Sequence, residues 1–566
     1  MPTATDALTE PPETDAPDPR NHPPGGRAAS GASRRGLFVA AGAVGLAACT
    51  PPPRRPGGGT TTTAAPASPP TTAPAPPLPT GALTAALLVD KLTFGPRPGL
   101  AAAVEARGLA EWIEDQLRPS ERGVPDAEAR LAGCTTLRNT HRQNYDVQAG
   151  PAGAAQLEAE LDWATIRRAV SSERQLFELM CDFWRNHFNV WRHHTWMTFL
   201  ITRDHETVIR PHALGKFSEM LSASAHSTAM LDYLDNLPSD ASAPGGVNEN
   251  YARELLELHT LGIIDGQKAY TEADVRGVAQ VMSGWSIDWS DTPSRYDFAF
   301  LPWQHDRSAV SILGGAFTRP ARSYGQGYSD GVRLLDVLAH HPSTARYVCW
   351  KLVRRFVADV PPPDLVNSAA AVFTANDTAI VPVLRHIISS PHFAAAHRSK
   401  VRRPFEQLVA SLRALDATMG DDPRGHAADT LRCALEDLGQ PIFERPSPDG
   451  YPDAAGAWVS SEGLLQRWAM AGRLARNKLT DPSSSDRVVV TLAARLPSPL
   501  PATVAALIRR LALDLGGVVL SDADVADLCT AQSLNPAGSP TAVSGSTSTL
   551  AQVVGLLLAH PTFQRR

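Results

Sequence analysis

The sequence predicts a mainly α protein, a multi-helix globular body with a small β-hairpin insertion. Three observations carry this. Apolar residues recur at three and four along most of the chain after residue 82, the spacing of one helical face. Helix start and stop signals punctuate those runs. One stretch, FAFLPWQHDRSAVSILGG, breaks the rhythm and reads as a short hairpin.

Ser33-Arg34-Arg35-Gly36-Leu37-Phe38 opens the apolar stretch LFVAAGAVGLAA, the length of a signal h-region and too short to span a bilayer. Paired arginines before a Gly/Ala-rich h-region indicate twin-arginine export. Leu46-Ala47-Ala48-Cys49 resembles a lipobox, which makes Cys49 the lipidation site and a membrane anchor. Residues 50–81 are a Pro/Thr-rich tether that cannot bury a core. Residues 82–480 form the helical domain and 481–566 a C-terminal helical segment. The localisation expected is the outer face of the cytoplasmic membrane or the periplasm. Past Cys49, Cys134, Cys181, Cys349, Cys433 and Cys529 show no CxxC spacing, so buried free thiols are expected.

Helices follow in order. LTAALLVDKLTFG, LAAAVEARGLAEWIEDQL and AAQLEAELDWATIRRAV each carry an apolar stripe. Residues 173–209 read as one or two long aromatic-rich helices that stop at Pro211. HALGKFSEMLSASAHSTAMLDYLDN ends at Asp235-Asn236, and Thr271 to Asp274 is a capping box before VRGVAQVMSGW. VLRHIISSPHFAAAHR echoes VVGLLLAHPTFQRR, each an apolar helix closed by a Pro-x-Phe turn and a basic residue.

The polar centre is placed at NENYARELLELHTLG, residues 248–262. At about 100° per residue, Asn250, Arg253, Glu254 and Glu257 fall within about 100° of one another, with His259 opposite. Asn248 or Asn250 caps the start, Glu249 suits the positive end of the dipole, and Gly262 suits the exit. Arg253 can pair with Glu257 at i+4. That leaves two acids and an amide on one stripe of an otherwise apolar helix, and buried carboxylates are costly unless paired.

His187, His194, His205 and His212 stand seven, eleven and seven residues apart, close to one line if the helix ran unbroken. Such spacing is too long for two of them to share a metal directly. His205-Glu206 does not begin a zincin motif, because residue 209 is Ile. Walker loops, GxGxxG after a strand and GxSxG elbows are absent. A net charge of −5 gives no basic excess for nucleic acid.

FWRNHF, VIRPHALGKFSEML, AMLDYLDN, NENYARELLELHTLG, YTEADVRGVAQVMSGW, PWQHD, HHPSTARYVCWKLVRRFV, KVRRPFEQLVASLRAL and GQPIFERPSPDGYPD occur in this order. Together they resemble the bacterial family catalogued as domain of unknown function 1800, from about Ala85 to about Arg467. The resemblance implies twin-arginine export and a co-encoded exported partner that is similar to sulfatases; it implies no activity or cofactor. His187, His212, Asp235, Asn236, Asn248, Glu249, Asn250, Arg253, Glu254, Glu257 and His259 match the family's pattern. His193-His194 and the Ala/Pro-rich loops depart from it.

Three readings follow. In the first, a cell-envelope hydrolase of surface glycans uses Glu254 and Glu257, with Asp235 and His187, as catalytic groups. Asn236, Asn248, Glu249, Asn250, Arg253, His259, Trp184 and Arg210 then bind. In the second, a metal or redox protein uses His187 or His212 with the acids. In the third, the stripe is a structural ion-pair network in a scaffold for the sulfatase-like partner, with Arg253 and Arg210 taking up the acids.

Overall fold

A computed structural model describes residues 83–118, 128–151, 153–195 and 197–566. The paired arginines, Cys49 and the whole 50–81 tether lie outside these residues. Helices dominate, and local chemistry sets their starts. Thr84, Ser390, Ser460 and Ser546 accept backbone N–H groups at N-caps, and Thr271 and Asp274 form the expected capping box. Pro342, Pro363 and Pro404 open helices in the first turn, where a missing N–H costs nothing. The 461–475 and 547–559 helices pack closely; a Cβ on Gly555 would lie 3.3 Å from Gly472 Cα. No helix among the described residues is long and apolar enough to cross a membrane.

The aromatic-rich segment is not one helix. Gln175–His187 ends at His187, residues 189–195 and 197 are not helical, and helical structure resumes at Thr198. The second stretch widens into a π-helical turn, Asp204–Ile209, and continues through Pro211 to His212. Pro211 lacks an N–H and crowds the carbonyl one turn back, which a wider turn accommodates. The line of four histidines therefore does not exist.

The β content is three separate antiparallel pairs. β1 (Ile263–Ile264) pairs with β2 (Gln267–Lys268), β3 (Trp285–Ile287) with β4 (Phe298–Phe300), and β5 (Val310–Ile312) with β6 (Phe317–Arg319). The FAFLPWQHDRSAVSILGG stretch thus splits, its first strand pairing backwards and its second forwards. His305 and Asp306 between them are structural. The His305 ring bonds to Ser283 O (2.8 Å), and Arg319 donates to Asp306 (2.9 Å).

Charge, not only apolar packing, occupies the centre. Asp182 pairs with Arg403 and, at 2.5 Å, with Arg185. Glu406 lies 2.8 Å from Arg355, 3.1 Å from Arg566 and 3.4 Å from Arg403. All are buried except Arg185, which is nearly so. Burial alone would raise the Glu406 carboxyl, but Arg355, Arg566 and Arg403 outweigh it and hold the group well below its ordinary 4.5. The chain just past the first echoing segment meets the end of the second: Lys400 N donates to Arg566 O (3.1 Å), Arg566 N to Lys400 O (2.8 Å) and Arg402 N to Gln564 O (2.8 Å).

Removing one member of a buried ion cluster leaves its partners uncompensated. Glu406→Gln should cost about 3–5 kcal/mol in denaturant unfolding at pH 7. Because the folded-state pKa is depressed, this stabilisation is present above the ordinary value of 4.5 and is lost as pH falls through the folded pKa. The gap between wild type and variant should therefore narrow in acid.

Candidate functional site

The 248–262 segment folds as a short α-helix, Asn250–Glu254, running into a π-helical turn, Leu255–His259. Thr260 Oγ1 donates to Leu255 O (2.6 Å) and Gly262 N to Leu256 O (3.0 Å), closing the widened turn. Gly262 has φ 70°, and a Cβ there would sit 2.2 Å from the Tyr347 ring. Glycine is thus required both by backbone conformation and by the close approach of the 342–356 helix. Asp265-Gly266 then makes a tight turn with positive φ at both residues, the hairpin chemistry of a two-residue loop. That turn returns the chain so that Tyr270 OH donates to Glu257 (2.7 Å).

The π turn changes the predicted stripe. It rotates Glu257 away from the α-helical register, so the expected Arg253–Glu257 pair does not form. Arg253 instead meets Glu272 at 2.8 Å and Glu249 at 3.5 Å, and Glu249 also meets Arg276 at 3.3 Å. Asn248 supplies the cap, accepting from Asn250 N (2.8 Å). Asn250 Nδ2 donates to Asp235 (3.3 Å), a residue in left-handed backbone with φ 57°. His194 Nε2 stands 3.5 Å from the same carboxylate. Asn250 and Glu254 are one turn apart on the α-helical part, so Asn250 neighbours both Asp235 and Glu254.

Glu254 is half-buried, and among the described residues no hydrogen bond or ion pair reaches it. Burial raises its carboxyl above the ordinary value and the Glu257 charge raises it further; Arg253 opposes them, and Asp449 adds a smaller upward push. A carboxyl that holds its proton more tightly than usual, beside another carboxylate, is the arrangement of a proton donor.

Other residues singled out are structural. Trp184 is fully buried and donates to Ala213 O (3.0 Å). Asn236 is buried and donates to Met282 O (3.2 Å) and Trp285 O (2.8 Å). His187 Nε2 donates to His259 O (3.1 Å), and both rings are buried. Burial, with the nearby Lys351 charge, lowers His187 well below its ordinary pKa and His259 to about 3. Both are neutral and closed to a ligand. Arg210 pairs bidentately with Glu178 (2.7 and 3.1 Å), not with the acid stripe, and the His212 ring bonds to Val208 O (2.8 Å). Among the described residues no three His, Cys, Asp or Glu side chains are grouped to hold a metal. Cys134, Cys181, Cys349 and Cys529 are buried free thiols, whereas Cys433 is an exposed one.

Residues outside the predicted site complete it. The loop 443–454 is tied over the end of the 175–187 helix. Asn186 donates to Tyr451 O (2.8 Å) and accepts from Tyr451 N (2.7 Å). Asn189 donates to Arg445 O and Ser447 O (2.9 Å each), and Tyr233 OH to Pro446 O (2.9 Å). Gly450, at φ 73°, is required because a Cβ would lie 2.2 Å from Asn186 O. Under this loop lies a pocket of about 270 Å³ whose lining includes Leu258, Tyr347, Trp350, Lys351, Asp449 and Tyr451. It adjoins the stripe: the charge of Asp449 bears on both Glu254 and Tyr347, and Glu257 bears on Tyr347. A larger depression of about 580 Å³ beside Trp163 and His426 shares no lining residue with it. FWRNHF and FERPSPDGYPD were legible as motifs, but no spacing rule joins Asn189 to a loop 256 residues away.

A family model described as protein of unknown function (DUF1800) matches residues 87–565. No curated protein and no solved structure matches the chain.

Two outcomes test this geometry. Gly262→Ala should lose about 3 kcal/mol in chemical unfolding, from the left-handed φ and the Tyr347 overlap together. Glu254 has a raised folded-state pKa, so its unfavourable ionisation develops as pH rises from 4.5 through the folded value. Glu254→Gln should therefore be more stable than wild type at pH 7, by about 0.5–1 kcal/mol after discounting for its partial exposure. The difference should vanish near pH 4.

Proposed function

We propose that this chain, which belongs to the DUF1800 family, is an exported, lipid-anchored hydrolase of cell-envelope glycans. The observation that carries the reading is Glu254, a half-buried carboxyl with raised pKa and no cationic partner, next to a pocket with aromatic walls. A structural ion-pair network would need Arg253 and Arg210 on these acids, and both are engaged elsewhere.

Glu254 is the general acid and Asp235, oriented by Asn250, the general base. Asn250 stands between them, donating to Asp235 and lying one helical turn from Glu254, and an inverting reaction needs the two carboxyls far enough apart to admit a water. Asp235 takes a proton from that water as its oxygen attacks the anomeric carbon. The bond to the leaving oxygen breaks, and Glu254 protonates that oxygen. The anomeric configuration inverts. Cys49 lipidation and the 50–81 tether hold the body outside the cytoplasmic membrane, within reach of polysaccharide.

Reducing-end release from envelope polysaccharide, with product anomers read by NMR, checks this. Wild type should give the inverted anomer first, and Glu254→Gln and Asp235→Asn should each lower kcat by about 10²–10⁴ while remaining folded. Turnover by Glu254→Gln within twofold of wild type would sink the assignment, and so would a folded wild type that releases nothing.

A further inference from the structure

The pocket beside the acid stripe has an unusual cation balance. Its lining includes Lys351, Arg354, Arg355 and Arg403 against Asp449 and Asp453. Arg355 and Arg403 belong to the buried cluster with Asp182 and Glu406. Both pocket carboxylates also have other cations near them. Asp449 is 3.4 Å from Arg445, and Asp453 is 3.6 Å from Lys400 and 3.8 Å from Arg355.

Lys351 is the residue left over. It is half-buried with its exposed part in the pocket, and among the described residues no hydrogen bond or ion pair within 4.0 Å reaches its ammonium. The Tyr347 ring lies 5.5 Å from Nζ, and the charges of Asp449 and Asp453 reach the ammonium only from beyond ion-pair distance. An ammonium carries three donors and no acceptor, and a half-buried, unpaired one is costly. Below it, Arg355 Nε has no acceptor, and its Nη2 faces Glu406 at 2.8 Å without hydrogen-bond alignment. Beside it, Arg354 lies over the Trp350 ring at 3.9 Å. The pocket thus offers unfilled N–H donors and excess positive charge next to flat aromatic faces, in a volume below the ~300–1,000 Å³ of drug-sized sites.

We infer that this pocket is an anion subsite of the hydrolase, with Lys351 holding an acidic substituent of the glycan, a carboxylate, sulfate or phosphate on one sugar unit. It rests on the hydrolase reading for the polymer it serves, since the charge of the pocket residue Asp449 bears on Glu254. Tyr347 and Asp449 form the shared wall, so the charged sugar sits beside the bond to be cut and the enzyme selects acidic over neutral glycans. Burial lowers the Lys351 ammonium to about 8, which leaves it mostly charged at neutral pH and ready to gain from an anion.

Amine labelling of the purified chain with trinitrobenzenesulfonate tests this, with modification at Lys351 read by peptide mass spectrometry. Glucuronate, glucose 6-sulfate and glucose 6-phosphate are the probes and glucose the control. At least one anionic sugar should slow labelling of Lys351 tenfold or more and move its pH midpoint upward, while glucose does neither. Which of the three protects identifies the substituent. Calorimetric binding of that sugar should disappear in Lys351→Met and persist in Lys351→Arg, with both variants folded by circular dichroism. No protection by any anionic sugar, or equal protection by glucose, overturns the subsite. Protection without any glycan hydrolysis would leave the subsite standing and remove the hydrolase, whereas hydrolysis of glycans without protection would do the reverse.

Discussion

The buried carboxylates Asp182 and Glu406 are the constraint on which the rest depends. Each lies near more cations than it can balance singly, and those cations come from distant parts of the chain. Arg355 lies on the 342–356 helix, Arg403 precedes the 404–414 helix, and Arg566 lies past the 547–559 helix. Such a cluster is stable only when all its members arrive together, because any one left alone is a desolvated charge. It therefore fixes which helices must be neighbours, a matter on which apolar packing is permissive.

The site inherits its geometry from that cluster. Arg355 and Lys351 lie on one helix, so placing Arg355 against Glu406 also places Lys351 in the pocket and Tyr347 against Gly262. The 175–187 helix is positioned through Asp182, and at its end Asn186 and Asn189 tie down the 443–454 loop. The acid stripe meets this assembly from the other side, on a turn that is π-helical because Thr260 and Gly262 close it that way. Wide turns of this kind re-aim side chains, and here the effect separates Glu257 from Arg253 and leaves Glu254 unpaired.

Much of this was legible from local patterns. Helical periodicity, the Thr271 capping box, the glycine exit at Gly262 and the importance of the 248–262 segment all follow from near-neighbour chemistry. Asp265-Gly266 carried a hairpin signal that the helical reading passed over. Residue type alone does not set a side chain's surroundings: His187, His259 and Trp184 are all buried in the packed interior. The four-histidine line assumed one uninterrupted helix, which ends at His187.

The sequence by itself determined the helical class, the helix starts, the family and the segment that holds Glu254, because each depends on residues within a turn or two of one another. The tertiary structure alone decided which charges are paired. That Glu254 has no partner, that Arg210 belongs to Glu178, and that Lys351 faces an unfilled pocket depend on side chains tens to hundreds of residues apart. Electrostatic energy falls with distance and rises with burial, and neither quantity is written in the order of residues.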